Sequence, residues 1–280
     1  TPVGPKQKPV FSPDGSRIAY LGKEGRGVGW KNSSLWVVPV DGSGEATNLT
    51  ASLDLEVSDA TINDLPGGLP MSPPAWSGDG QRIYFQVSTQ GKTVIQSIAA
   101  DGEGNSLETV VGGQGTVGDF THDQEQNRIA YLYGDMTHPA DVWLMDLNQG
   151  KPRQLTQVND ALLKEVDLGS AEEVWFENND GTELQGWILK PPGFDPARTY
   201  PSIMEIHGGP RTQYGYLFMH EFFALAAQGY VVYFSNPRGS RGYGESFSKE
   251  INNDWGAPAY EDLMAWADYM QTANKSLLEK

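Results

Sequence analysis

Short alternating strands recur three times in the first half of the chain, and that recurrence limits the folds open to it. The segments "VFSPDGSRIAYLG" (10–22), "AWSGDGQRIYFQV" (75–87) and "DFTHDQEQNRIAYLY" (119–133) share one plan. An aromatic and a hydroxyl residue come first: Phe11-Ser12, Trp76-Ser77 and Phe120-Thr121. A turn of Asp, Gly or Asn follows, and then Arg-Ile opens an apolar strand at 17, 82 and 128. A second strand and turn come next in each unit, "LWVVPVDGSG" (35–44), "VIQSIAADGEG" (94–104) and "VWLMDLNQG" (142–150). Two units close alike, with "ATNLT" (46–50) and "PRQLT" (152–156). Period-2 alternation broken by Gly-rich turns predicts antiparallel sheet. A repeat of about 40–45 residues with roughly four strands marks a propeller blade.

The step from Arg17 to Arg82 is too long for one blade, and the excess lies in "LDLEVSDATINDLPGGLPM" (53–71), read as an inserted loop. Three units are fewer than the roughly four to eight that close a propeller. A partial propeller with open strand edges is therefore expected, with a β-sandwich as the competing architecture. The words "FSPDG" and "WSGDG" resemble the Pro-Asp-Gly repeat of TolB-like and peptidase propellers.

The periodicity changes near residue 170. "AEEVWFENNDGTELQGWILKPPGF" (171–194) reads as a hairpin, with strands over 172–177 and 183–190. "PSIMEIH" (201–207) and "YVVYFS" (230–235) read as buried strands. Between them "YLFMHEFFALAAQG" (216–229) has helical spacing, with Leu217, Phe218, Phe222, Leu225 and Ala226 on one side and Gly229 as the stop. A second helix is predicted over 257–271, Pro258 suiting its first turn and Tyr260, Leu263, Met264, Ala267 and Met270 sharing a face. Strand, helix, strand, helix implies an α/β unit with a mainly parallel sheet.

Composition excludes several functions. Lys plus Arg is 20 against 36 Asp plus Glu, a net charge of −16, and no basic run is present. Nucleic acid and anionic membrane surfaces are not expected partners, and the acidity reads as solubility. No apolar run approaches the roughly 20 residues of a membrane helix. There is no Cys, which removes disulfides and thiolate chemistry. The four His (122, 138, 207 and 220) lack metal-ligand spacing, so no metal or other cofactor is expected.

Two loops carry candidate chemistry. "HGGP" (207–210) follows an apolar strand, and in open α/β sheets chemistry gathers at the strands' carboxyl ends. Gly208 and Gly209 let the backbone present N–H groups, which aimed at a developing negative oxygen make an oxyanion hole. HGGG-type loops do this in α/β-hydrolases; an ordinary Gly-Pro turn is the plainer alternative. The second loop, "NPRGSRGYGESF" (236–247), has glycines at 239, 242 and 244, which do not follow the dinucleotide spacing.

With "HGGP", "NPRGSRGYGESF" and "DWGAPAYEDLMAWADYM" (254–270) in this order, the chain resembles the S9 (prolyl oligopeptidase) family of serine peptidases, most closely its acylaminoacyl-peptidase branch. The resemblance is specific over 171–280 and looser over 1–165. It implies two domains: the C-terminal part of a β-propeller over 1–165, and the N-terminal part of an α/β-hydrolase domain over 166–280. It implies hydrolysis of short peptides, with release of N-acylated amino acids as the branch activity, by a Ser-Asp-His triad. No Gly-x-Ser-x-Gly elbow occurs, the nearest approach being "GESFS" (244–248). The nucleophile, acid and base are therefore expected beyond residue 280, and the chain alone is expected to be inactive.

In this reading Gly208 and Gly209 supply oxyanion-hole backbone, and His207, Pro210 and Arg238 line the site. His207 shapes the loop rather than acting as the triad base, because the base comes last in this fold's order. Arg238 either lines the site or is a structural ion-pair arginine. Ser240 and Ser246 are loop hydroxyls without an evident base. A peptide substrate, the remaining hydrolase segment and further copies of the chain are the implied partners. The resemblance leans toward the cytoplasm, although the residues fix no compartment. A non-catalytic TolB-like interaction module and an α/β-hydrolase esterase are the alternatives.

Overall fold

The computed structural model describes residues 1–64, 72–102 and 106–273. Three four-stranded antiparallel meanders come first. β1 to β4 are Lys6–Phe11, Arg17–Gly22, Ser34–Pro39 and Thr47–Asn48. β5 to β8 are Ala75–Trp76, Arg82–Thr89, Lys92–Ala99 and Glu108–Val111, and β9 to β12 are Thr116–His122, Arg128–Gly134, Asp141–Asp146 and Lys151–Gln154. A parallel bridge from Thr93 to Thr116 joins the second and third into one sheet. The meanders pack face to face. Leu21, Leu35, Val37, Trp76, Ile83 and Phe85 fill the space between the first two, and Ile95, Val117, Ile129, Tyr131 and Met145 the next. This is the strand order and stacking of propeller blades.

The repeated turn has a defined chemistry. Ser12 Oγ donates to Asp14 (2.6 Å) and accepts from the Arg17 amide (2.9 Å). Ser77 repeats this with Asp79 (2.6 Å) and the Arg82 amide (2.9 Å). In the third unit the Asp123 carboxylate accepts from the Asn127 and Arg128 amides directly (2.9 and 3.1 Å), so no hydroxyl is needed. The ladder bonds Ser12 N–Arg17 O, Ser77 N–Arg82 O and Asp123 N–Arg128 O fix the alignment. His122, rather than Phe120, is therefore the counterpart of Phe11 and Trp76, and the expected match at Phe120-Thr121 is displaced by two residues.

After a one-turn helix, α1 (Asp160–Leu163), comes a mixed sheet. Its strands are β13 (Ser170–Glu177), β14 (Glu183–Lys190), β15 (Ser202–Glu205) and β16 (Val231–Asn236), in the order β13-β14-β16-β15. Within this sheet, among the described residues, only β15 and β16 pair in parallel, so it is not mainly parallel. α2 (His220–Ala227) covers one face, where Trp187, Leu189, Phe222, Ala226 and Phe234 cluster. α4 (Ala257–Ala273) covers the other, with Leu184, Ile188, Trp266 and Met270. A short α3 (Glu245–Lys249) precedes α4.

Two helix expectations change. Residues 216–219 are buried but not helical, and α2 begins at His220. Its first amides, of His220 and Glu221, donate to the Asp64 carboxylate (2.9 and 2.6 Å), so the cap comes from far upstream. On α4 the buried face is Asp262, Trp266 and Met270, whereas Tyr260 and Met264 are 64% and 41% exposed. The face turns because Asp262 meets a buried arginine and Trp266 stacks on Phe176 (4.6 Å).

The stretch expected as an inserted loop is, as far as Asp64, a strap between the meanders and the mixed sheet; residues 65–71 lie outside the described ones. Glu56 bridges to Ser88, and Thr61 to Gln213. Arg241, 3% exposed, reaches across to Glu56 (3.3 Å), Trp30 O (3.0 Å), Asn32 Oδ1 (3.2 Å) and Gly29 O (2.5 Å). Both partners of this ion pair are buried, so losing one leaves an uncompensated charge. Glu56→Gln is expected to lower unfolding free energy by roughly 3–5 kcal/mol, read as a reduced denaturant midpoint in the intact protein.

Candidate functional site

Because β15 and β16 run in parallel, from Ser202–Val231 to Glu205–Phe234, their carboxyl ends open on the same side. β15 runs into HGGP and β16 into the Asn236–Gly244 loop. The two meet at His207, whose Nε2 lies 3.1 Å from Ser240 Oγ and whose Nδ1 lies 3.0 Å from Gly208 O. The ring stands edge-on to Tyr214, centroids 5.0 Å apart. Burial lowers the His207 pKa below 6.5, outweighing the upward pull of hydrogen bonds to Gly208 and Asn236. The Ser240 hydroxyl donates its one hydrogen to Pro237 O, so a neutral His207 either donates from Nε2 to Ser240 Oγ or donates from Nδ1 to Gly208 O.

Ser240 thus has a histidine beside it, which the sequence did not reveal. It is 1% exposed and also lies 2.7 Å from Pro237 O. The imidazole nitrogen that a triad acid would hold faces a backbone carbonyl instead. The pair fastens two loops together. Ser246 is exposed on α3.

The two glycines differ. Gly209 has φ +120°, and a Cβ there would stand 2.8 Å from Thr212 Oγ1. Gly208 has neither constraint, and a Cβ would meet nothing within 4 Å. Both are exposed. Among the described residues neither amide has a hydrogen-bond acceptor, so both donors remain available. Pro210 is half-buried beside them.

The far half of the loop is anchored. Gln213, fully buried, accepts from the Gly91 amide (3.2 Å) and donates to Thr61 Oγ1 (2.9 Å) and Lys92 O (3.2 Å). Asn236 clamps both polar groups of the Tyr214 backbone at 2.8 Å and donates to the Tyr243 hydroxyl at 2.7 Å. Burial, above all, raises the Tyr243 pKa, so the phenol stays protonated, and it donates to Gln185 Oε1. An exposed glycine bend therefore sits on a fixed base.

Arg238 makes the ion pairs of its second reading. Nε and Nη2 chelate Asp262 at 2.8–3.1 Å, the Arg238 amide donates to the same carboxylate (2.8 Å), and Nη1 meets Asp180 (2.8 Å). Asn178 adds a fourth donor to Asp262 (2.7 Å). The guanidinium ties the β13–β14 turn to α4. Sequence reasoning missed Gln213, Asn236 and Arg241 as positioning residues. The available signal was polar side chains set among glycines and aromatics.

Residues 216–277 match the family model described as "Prolyl oligopeptidase family". The "Uncharacterized peptidase YuxL" of Bacillus subtilis (strain 168) is 33% identical over 242 residues, 85% of this chain and 36% of that protein. The chain belongs to the S9, or prolyl oligopeptidase, family. Dipeptidyl-peptidase 5 of Trichophyton schoenleinii is 30% identical over 93% of this S9 chain and 34% of its own length. Acylaminoacyl peptidase of Pyrococcus horikoshii superposes with a TM-score of 0.76 at 26% identity, over 94% of this chain and 38% of that one. The chain spans about a third of the length of the curated relatives it matches.

The S9 loop geometry gives two expectations. Gly209→Ala should lower stability by about 2 kcal/mol through its positive φ, while Gly208→Ala leaves the melting temperature unchanged. A histidine held neutral in the fold binds fewer protons than in the unfolded chain. Its stabilisation is complete above pH 6.5 and falls away below it toward the depressed folded pKa. The His207 ring resonances should accordingly titrate below pH 6.5, and His207→Gln should flatten the acid side of the stability–pH curve.

Proposed function

We propose that this chain is part of a serine peptidase that hydrolyses short peptides, with release of N-acylated amino acids as its branch activity. On this reading residues 1–165 belong to a propeller that admits substrates by size, and 166–280 to the hydrolase domain. The serine, aspartate and histidine lie outside these 280 residues. The serine attacks the scissile carbonyl, the histidine moves its proton to the leaving amine, and the aspartate orients the histidine. The Gly209 amide, with Gly208 beside it, donates to the oxyanion of the tetrahedral intermediate. A second donor would be the amide following the nucleophile.

One observation carries this reading: two exposed glycine amides that have no acceptor among the described residues, on a loop whose far half is bonded into the fold. Preorganised donors stabilise developing charge without reorganising during reaction, whereas a loose Gly-Pro turn would not. His207 and Pro210 shape the loop, and Arg238 supports it through Asp262. Family membership and the likeness to acylaminoacyl peptidase support the substrate class.

Fluorophosphonate labelling with intact-mass readout tests the proposal. The intact protein should gain one adduct on a serine outside residues 1–280 and cleave peptide anilides. The 280-residue chain should take no label. An adduct on Ser240 or Ser246 would place the nucleophile in this chain and refute the account. Hydrolysis of esters without cleavage of any peptide would favour the esterase alternative.

A further inference from the structure

Arg211 directly follows HGGP, and its side chain lies in an unusual electrostatic setting. Its Nη1 sits 3.5 Å from where a Cβ on Gly29 would stand, so the guanidinium lies against the loop between β2 and β3. Its Nε is buried and has no hydrogen-bond partner among the described residues. Among the described residues no carboxylate lies within ion-pair distance of it. Its charged neighbours include two cations. Burial lowers the Arg211 pKa, and the charge of Arg241 lowers it further. Lys23 is lowered too, by burial first and then by Arg241 and Arg211, against the opposing pull of Glu56 and Glu245.

Both nearby acids are already engaged. Glu56 pairs with Arg241 (3.3 Å) and accepts from the Ser33 amide (3.3 Å) and the Ser58 hydroxyl (2.7 Å). Glu245 accepts from the Asn32 amide (2.9 Å). A part-buried guanidinium without a counter-ion, pressed by like charge, is destabilising until an anion joins it. This occurs beside the proposed oxyanion loop of a chain whose net charge is −16. Background acidity repels anions from most of the surface, so a local cationic position is selective.

We propose that Arg211 is a specificity-determining residue that binds a carboxylate of the peptide substrate. The inference rests on the peptidase reading above. A guanidinium presents paired donors that match a carboxylate in a planar fork. Only Pro210 separates Arg211 from Gly209, so a substrate whose carbonyl oxygen meets the Gly209 amide places nearby groups within the arginine's reach. The carboxylate is either the free C-terminus of a short peptide or an acidic side chain.

The test uses the intact protein and three peptides of one sequence: a C-terminal acid, its C-terminal amide, and an amide carrying Glu in place of a neutral leaving-side residue. Rates give kcat/KM, and calorimetry on fluorophosphonate-blocked protein gives affinity. A charge-assisted contact predicts an acid-to-amide ratio of about tenfold or more, falling toward one in Arg211→Gln and partly kept in Arg211→Lys. A preference for the Glu-containing amide instead identifies the side chain as the source. Equal ratios in wild type and Arg211→Gln, or no preference in wild type, overturn the proposal. So does a lower melting temperature with equal slowing on all three peptides, which would mark Arg211 as the partner of a structural carboxylate. Arg211-dependent affinity without any turnover would sustain the carboxylate site and defeat the peptidase reading.

Discussion

The parallel pairing of β15 with β16 is the constraint on which the site depends. Parallel neighbours end on the same side of a sheet, and a crossover must join them. Here the crossover carries α2, so the chain leaves β15 as HGGP, passes over one face, and returns through β16 into the second glycine loop. The meeting of His207 with Ser240 follows from that geometry. So does the position of Asn236, whose amide clamps the Tyr214 backbone across the gap between the loops. An antiparallel partner would have sent the two loops to opposite ends.

Buried polar groups then divide the labour. Arg238 with Asp262, Asp180 and Asn178 works within the mixed sheet and its flanking helix. Arg241 with Glu56 works between that sheet and the meanders. The two arginines are three residues apart in one loop and face opposite directions. Each is buried beside a carboxylate, the condition under which a charge in the interior is tolerated. Around them backbone approaches backbone very closely: a Cβ on Gly215 would stand 1.9 Å from Gly91 O.

Much of this was legible in the residues. Alternation and Arg-Ile openings located the strands of the meanders, and the 172–190 hairpin and both later strands fell where periodicity put them. The bare glycine loop follows β15, at the end of the strand that the apolar run predicts. What failed depended on partners distant in sequence. The start of α2 was misplaced because its cap, Asp64, lies 156 positions upstream. The α4 face was misjudged because Asp262 is a charged residue that points inward. Apolar counting favours Met264 over Asp262 unless the buried arginine is known. The third meander was misaligned because Asp123 replaced a Ser-x-Asp pair by a single carboxylate.

The Asp64 contact also bears on how the chain assembles. A capping acid normally arrives with its helix, a residue or two ahead of it, so a helix can start as soon as it is made. Here the capping carboxylate lies on the strap, far ahead of α2 in the chain, and it serves the amides of His220 and Glu221. N-terminal portions fold first during translation, so the meanders can present the strap as a finished template. α2 would then nucleate on a surface already built, and the mixed sheet would acquire its covering helix in an orientation dictated by its neighbour.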